Sequence, residues 1–168
     1  MTTGVENRVK ARAVIERFNS LGWRLALAES CTGGLISATL TGESGASSVL
    51  EASITAYANE AKETLLNVPK QLMIEHGAVS APVAAHMATA VKRAVSAQVG
   101  LGVTGVAGPG GGTADKPVGR IYLAIAGPQG IFSTEFNFDG DRDAVRDQTV
   151  AGALDALLVV SAGAEGSP

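Results

Sequence analysis

The sequence predicts an α/β protein built around a mixed, mostly parallel sheet. Short apolar runs such as "RLALA" alternate with helical patterns through the first two-thirds of the chain, which is the signature of layered α/β architecture. Two later strand-like runs joined at "PQG" read as a hairpin and bring in an antiparallel strand. The composition is that of a folded globule: 46% of the 168 residues are hydrophobic and 17% charged, enough for one core and one domain.

The elements follow in order. Residues 6–21 carry a helical pattern, with Val14, Phe18 and Leu21 at i, i+4, i+7 and Arg8, Arg12 and Arg17 free to face water. Arg24–Ala28 is a short buried strand. "ESCTGG" interrupts it, "LISATLT" forms a short helix and "GESGASS" a loop. Leu50–Ala58 is a second strand. "NEAKETLLN" then reads as a helix capped by Asn59, with Glu60 and Glu63 in its first turn. "VPKQLMIEHG" is a turn plus a short helix ending at Gly77.

"VSAPVAAHMATAVKRAVSA" is the clearest helix. Ser80 suits its cap, Pro82 its first turn, and Val83, Met87, Val91 and Val95 make one apolar stripe. "QVGLGVTG" is a strand, followed by a glycine-rich loop from Gly105 to Gly119. "RIYLAIAG" and "IFSTEFNF" are the hairpin strands. Asp141 caps a last helix, apolar at Val150, Leu154, Leu157 and Leu158. No repeat or linker divides the chain, so residues 1–168 read as one domain with frayed tails at 1–4 and 162–168.

Several function classes fall away. A net charge of −3 and a pI near 5.4 argue against bulk nucleic-acid binding, which needs a basic footprint. One cysteine cannot form an internal disulfide, and no His/Cys cluster has zinc spacing. The N-terminus has no apolar signal core, and no apolar run reaches the roughly 18 residues of a membrane span. The expectation is a soluble, cytoplasmic protein without membrane partners.

In α/β sheets, ligands gather beyond the carboxyl ends of the strands, where Ser30, Tyr57 and Thr104 converge. "AESCTGG" places three nucleophile types side by side. A strand breaking into Gly-Gly and a helix exposes its last side chain. It also presents the backbone N–H groups of Cys31, Thr32, Gly33 and Gly34 to a phosphate or an oxyanion. Ser30 is then either a nucleophile or an ordinary helix cap. Cys31 would need a base, and neither His76, at a helix end, nor His86, mid-helix, lies at a strand end; a buried, inert thiol fits better. Thr32 is the natural cap.

Without a histidine, a serine nucleophile needs another proton acceptor, and lysine is the usual one. Lys62 would have to titrate about 2–3 units below its ordinary value. It is equally readable as a solvated helix lysine paired with a glutamate, and Tyr57 as a core ring with its hydroxyl at the rim. "VTGVAGPGGGTADKPVG" holds six glycines and two prolines. It lacks the GK[ST] of a phosphate loop, and a strand rather than a helix follows it, so it is no dinucleotide fingerprint. Loops this long in compact domains are more often functional than idle. Arg142 and Arg146, at i, i+4 near the start of the last helix, suit a bound anion or pairing with Asp139, Asp141, Asp143 or Asp147.

Taken together, "LALAESCTGGLISATLT", "ITAYANEAKETLLNVP", "HGAVSAPVAAHMA", "LGVTGVAGPGGGTADKPVGRIYLAIAG" and "FDGDRDAVRDQTV" resemble the CinA C-terminal domain family in the same order, over nearly the whole chain. The "ESCTGG" and "GVTGVAGPGGG" blocks are highly specific. The resemblance implies a three-layer α/β/α sandwich and a nicotinamide-nucleotide amidohydrolase in pyridine-nucleotide recycling. Such an enzyme converts nicotinamide mononucleotide to nicotinate mononucleotide and ammonia, with no metal and no cofactor expected.

The resemblance puts the serine nucleophile on Ser30, its supporting groups on Tyr57, Lys62 and Thr104, and the arginine of "GDR" on Arg142. Gly105, Gly108, Gly110 and Gly111 of the loop, with Arg142 and Arg146, are then expected at the 5′-phosphate. Many relatives carry a molybdopterin-binding-like domain ahead of this one, so the chain resembles a stand-alone form, and a homodimer is expected. Arg120 departs from the family pattern, where a smaller residue is expected. The rival expectation is a nucleotide-binding or competence- and DNA-damage-associated accessory module without turnover.

Overall fold

A computed structural model describes residues 4–166, with side chains described through residue 164. The chain runs α1 (Gly4–Leu21), β1 (Leu25–Glu29), α2 (Leu35–Thr41), a 3-10 turn (Ala46–Ser48), β2 (Leu50–Thr55) and α3 (Asn59–Leu66). It continues through α4 (Lys70–His76), α5 (Ala81–Ala94), β3 (Val99–Gly105), β4 (Arg120–Gly127), β5 (Gly130–Asn137), α6 (Arg142–Ala162) and a closing 3-10 turn (Gly163–Gly166). Of the tails expected to fray, Gly4 and Ala162 are helical and Gly163–Gly166 form a 3-10 turn, while residues 1–3 and 167–168 lie outside the described residues.

The strand order is β2-β1-β3-β4-β5. β2, β1 and β3 are parallel, and β4 pairs antiparallel with both β3 and β5. Strand alternation assigns the layers. Leu25 and Leu27 of β1, with Leu101 and Val103 of β3, pack into a core shared with α1, α2 and α6. Ala26 and Ala28 turn the other way, into a second core with Leu66, Val83, Met87 and Val91 of α3 and α5. The result is a three-layer α/β/α sandwich.

The second layer sits very close to the sheet. A Cβ at Gly100 would lie 2.1 Å from the Ala88 carbonyl oxygen, and one at Gly102 would lie 2.3 Å from that of Ala84. The alternating glycines of "VGLGVTG" thus let α5 lie directly on β3, whose next residue on that face is Thr104.

The ends of helices correct three local expectations. Asp141 caps α6 by accepting from the Ala144 N–H. Asn59 does not cap α3; it is the first helical residue, and Ala58 occupies the cap with no side-chain bond. Ser80 holds the cap position of α5, yet its hydroxyl donates backward to the Gly77 carbonyl. Thr32 is not a cap either, for a reason that belongs to the site. Arg8 and Arg12 face water as expected, and they also grip the buried Glu43 carboxylate at 2.7 and 2.8 Å, so the two guanidinium groups hold that carboxyl below its ordinary pKa.

Candidate active site

Parity and register bring the site together. Ser30 follows Ala26 and Ala28 on the α5 face, and its N–H bonds the Val103 carbonyl next to Thr104. Ser30 and Thr104 therefore stand side by side at the carboxyl ends of β1 and β3, where the chain leaves the sheet. α3 then delivers Lys62, only 2% exposed, so that its Nζ donates to Ser30 Oγ at 2.9 Å and to the Tyr57 carbonyl at 3.1 Å. Burial pushes Lys62 below the ordinary lysine pKa, because removing the ammonium from water disfavours its charged form. The solvated, glutamate-paired reading of Lys62 is thereby excluded.

These residues line a cavity of about 270 Å³ with Tyr57, Asn59, Thr104 and Arg142, closed on one side by Gly105, Gly108, Gly110 and Gly111. Larger hollows of about 460 and 690 Å³ lie against α6 and α5, but their walls are mainly apolar and hold neither Ser30 nor Lys62. Ser30 and Lys62 line the smaller space. Among the described residues, no three His, Cys, Asp or Glu side chains are gathered as a metal site would require.

The turn carrying Ser30 rests on a residue that sequence reasoning overlooked. Glu29 ends β1 on the opposite parity from Ser30 and is fully buried. Its Oε2 accepts from Thr32 Oγ1 at 2.6 Å and from the N–H groups of Gly34 and Ile36, and its Oε1 accepts from the Ser37 N–H at 2.8 Å. The cap of α2 is thus the Glu29 carboxylate, while Thr32 feeds that carboxylate instead of bonding the helix. A signal was present: in "LALAE" the strand alternation directs the acid into the apolar α1/α2/α6 layer, where it must find donors.

The expected oxyanion donors divide. Gly33 N–H bonds the Ser30 carbonyl and Gly34 N–H bonds Glu29, so neither is available. The N–H groups of Cys31 and Thr32 have no oxygen partner among the described residues. Positive φ values of 61° at Gly33 and 94° at Gly34 let the chain reverse this tightly.

The arginines also separate. Arg142 lines the cavity, donating to the Gly108 carbonyl and to the Tyr57 hydroxyl, both at 2.7 Å. Arg146, one helical turn on, instead donates to the Thr32 carbonyl at 2.9 Å, with Asp143 3.7 Å away. It braces the turn from outside the cavity. Thr104 donates to the Ala78 carbonyl at 2.9 Å, fixing a wall of the cavity. Arg120, the atypical residue, lies along the β4–β5 hairpin against Asn137 and Glu135, outside the cavity lining.

The sequence model of the CinA C-terminal domain matches residues 7–160. The chain belongs to the CinA C-terminal domain family. A CinA-like protein of Anaeromyxobacter dehalogenans is 50% identical over 144 residues, which cover 86% of this chain and 35% of that protein. A CinA-like protein of Geobacter sulfurreducens is 49% identical over 145 residues, with the same shares. The chain thus spans about a third of the length of these curated relatives, 35%.

Among solved structures, the competence/damage inducible protein CihA of Agrobacterium tumefaciens superposes with a TM-score of 0.88 at 39% identity, covering 91% of this chain and 94% of that one. A CinA superfamily protein of Klebsiella pneumoniae gives 0.90 at 30% identity, covering 94% and 98%. No helix among the described residues is long and apolar enough to cross a membrane.

In this CinA C-terminal domain Cys31 is packed into the α1/α2/α6 core at 6% exposure while still touching the cavity. Burial pushes its thiol up to about 12, so no thiolate forms at neutral pH. For the amide hydrolysis that the sequence resemblance implies, Cys31→Ala is expected to leave kcat/KM within about threefold of wild type, under ~1 kcal/mol of barrier. Steady-state ammonia release checks this, and a loss comparable to that of Ser30→Ala would return the thiol to the chemistry.

Proposed function

We propose that the chain hydrolyses the carboxamide of nicotinamide mononucleotide to nicotinate mononucleotide and ammonia through Ser30. One observation carries the reading: a buried lysine with a depressed pKa lies 2.9 Å from a serine at a strand end. As an ammonium, Lys62 donates to Ser30 Oγ. Once deprotonated, the same contact reverses, and the serine hydroxyl donates to the Nζ lone pair while Nζ–H remains on the Tyr57 carbonyl.

Ser30 Oγ attacks the carboxamide carbon as its proton passes to Lys62. The N–H groups of Cys31 and Thr32, which have no oxygen partner among the described residues, receive the developing oxyanion, and losing one such donor typically costs about 3–4 kcal/mol of barrier. Lys62 returns the proton to departing ammonia. Water, deprotonated by the same amine, then hydrolyses the acyl-serine. Tyr57 contributes its carbonyl to orienting Lys62, whereas its phenol contacts Arg142, which argues against phenolic assistance of the proton transfer.

Arg142 and the loop glycines form the side of the cavity suited to the 5′-phosphate, and Arg146 drops out of that role. Arg142→Ala is expected to narrow the kcat/KM preference for the nucleotide over its unphosphorylated riboside by about 10- to 100-fold, the worth of a charge-assisted bond. An unchanged preference would remove Arg142 from the phosphate. The proposal as a whole is tested by incubating the protein with nicotinamide mononucleotide and assaying ammonia. No release above the Ser30→Ala control overturns it.

A further inference from the structure

We propose that Glu29 is a positioning residue for the nucleophile. By gathering the Thr32 hydroxyl and the N–H groups of Gly34, Ile36 and Ser37, its carboxylate holds the turn in which Ser30 faces Lys62 and the Cys31 and Thr32 N–H groups are left without an oxygen partner among the described residues. The role rests on the reading of Ser30 as nucleophile.

The other bonds within and onto the turn all go to its carbonyls: Gly33 N–H on Ser30, Leu35 N–H and Arg146 on Thr32, and the Ser37 hydroxyl and Ala38 N–H on Gly34. Its glycines alone leave it conformationally free. Glu29 supplies what they lack: two acceptor atoms at a fixed depth below the turn, drawing four donors from a stretch of six residues, 32 to 37, to one point. Bonds to a carboxylate are shorter and stronger than neutral ones, and Glu29 is fully buried, so bulk solvent cannot take over its bonds.

Consecutive residues of β1 thus divide the work. Glu29 anchors the turn from the α1/α2/α6 side, and Ser30 presents its hydroxyl on the α5 side. Glu29 touches neither Ser30 Oγ nor the cavity, so it acts through the turn and not on the reacting atoms.

Glutamine in its place keeps one acceptor and turns an NH₂ toward backbone donors. Thr32→Val removes the 2.6 Å bond while keeping the side-chain shape. The test uses a fluorophosphonate probe, in which the serine oxygen displaces fluoride from phosphorus, so it reads the nucleophile independently of the natural substrate. Labelling of the full chain is followed by intact mass, with Ser30→Ala as the control.

The wild type is expected to label at Ser30. Glu29→Gln is expected to lower the maximal labelling rate by about tenfold or more, and Thr32→Val by about three- to tenfold. In both, the probe's half-saturation should stay within about threefold and labelling should still run to completion. A merely structural role would instead reduce the fraction of protein that labels, at an unchanged rate. If Glu29→Gln fails to fold, Thr32→Val decides. Wild-type rates in the folded variants overturn the positioning role. Absence of Ser30 labelling in the wild type overturns the nucleophile reading and this role with it.

Discussion

Ser30→Ala is expected to abolish ammonia release from nicotinamide mononucleotide, lowering kcat by about 10⁴-fold or more. The Oγ is the bond-forming atom of the proposed reaction, and nothing beside it can substitute. The Cys31 thiol is held near 12 by burial and is packed in the core. Thr32 Oγ1 is bonded to Glu29, and Thr104 Oγ1 to the Ala78 carbonyl. The lost oxygen leaves Lys62 with the Tyr57 carbonyl as its remaining partner, so the variant should still fold. Steady-state ammonia assays, paired with circular dichroism of the variant, check both statements. Activity surviving in folded Ser30→Ala would move the nucleophile elsewhere.

Lys62→Met is expected to lower kcat by about 10²- to 10⁴-fold, the usual contribution of a positioned acid–base group. It should also change the pH profile. In the wild type, Lys62 below its pKa is an ammonium with no lone pair, and Ser30 cannot hand over its proton. As pH rises through that pKa, the neutral fraction grows and the rate climbs before levelling off. Because burial lowers the pKa, this climb falls below the roughly pH 10.4 at which a free lysine titrates. Methionine fills much of the same space but cannot titrate, so the residual activity should lack the limb. Arginine, which retains its proton at any workable pH, should be no better. An identical limb in Lys62→Met would assign it to another group.

Much of the frame was legible because its causes are local. Apolar runs between glycines marked the strands, the i, i+4 stripe of Val83, Met87 and Val91 marked α5, although Val95, read into the same stripe, falls just past the helix end and is exposed, and Asp141 capped α6 where expected. Other features depended on neighbours far along the chain. Arg142 and Arg146 look equivalent in sequence, yet one helical turn separates a cavity residue from a brace on Thr32. Tyr57 was readable as a core ring with its hydroxyl at the rim; the ring is exposed instead, with its hydroxyl on Arg142 and its carbonyl on Lys62. Thr32 looked like a cap because Ser and Thr usually are, but a stronger acceptor, Glu29, lay three residues earlier.

What the sequence by itself determined is therefore the order of the elements, the α/β layering and the motif blocks that point to the family. All of these are patterns written within a few turns of chain. Only the tertiary structure decided that Lys62 is a buried partner of Ser30, 32 residues away, and that Glu29 anchors the turn between them. The physical reason is that parallel pairing of β1 with β2 and β3 brings three strand ends to one edge of the sheet. α3 then closes over that edge and removes the lysine from water. A side chain's protonation and partners follow from that burial, which exists only once the layers have packed.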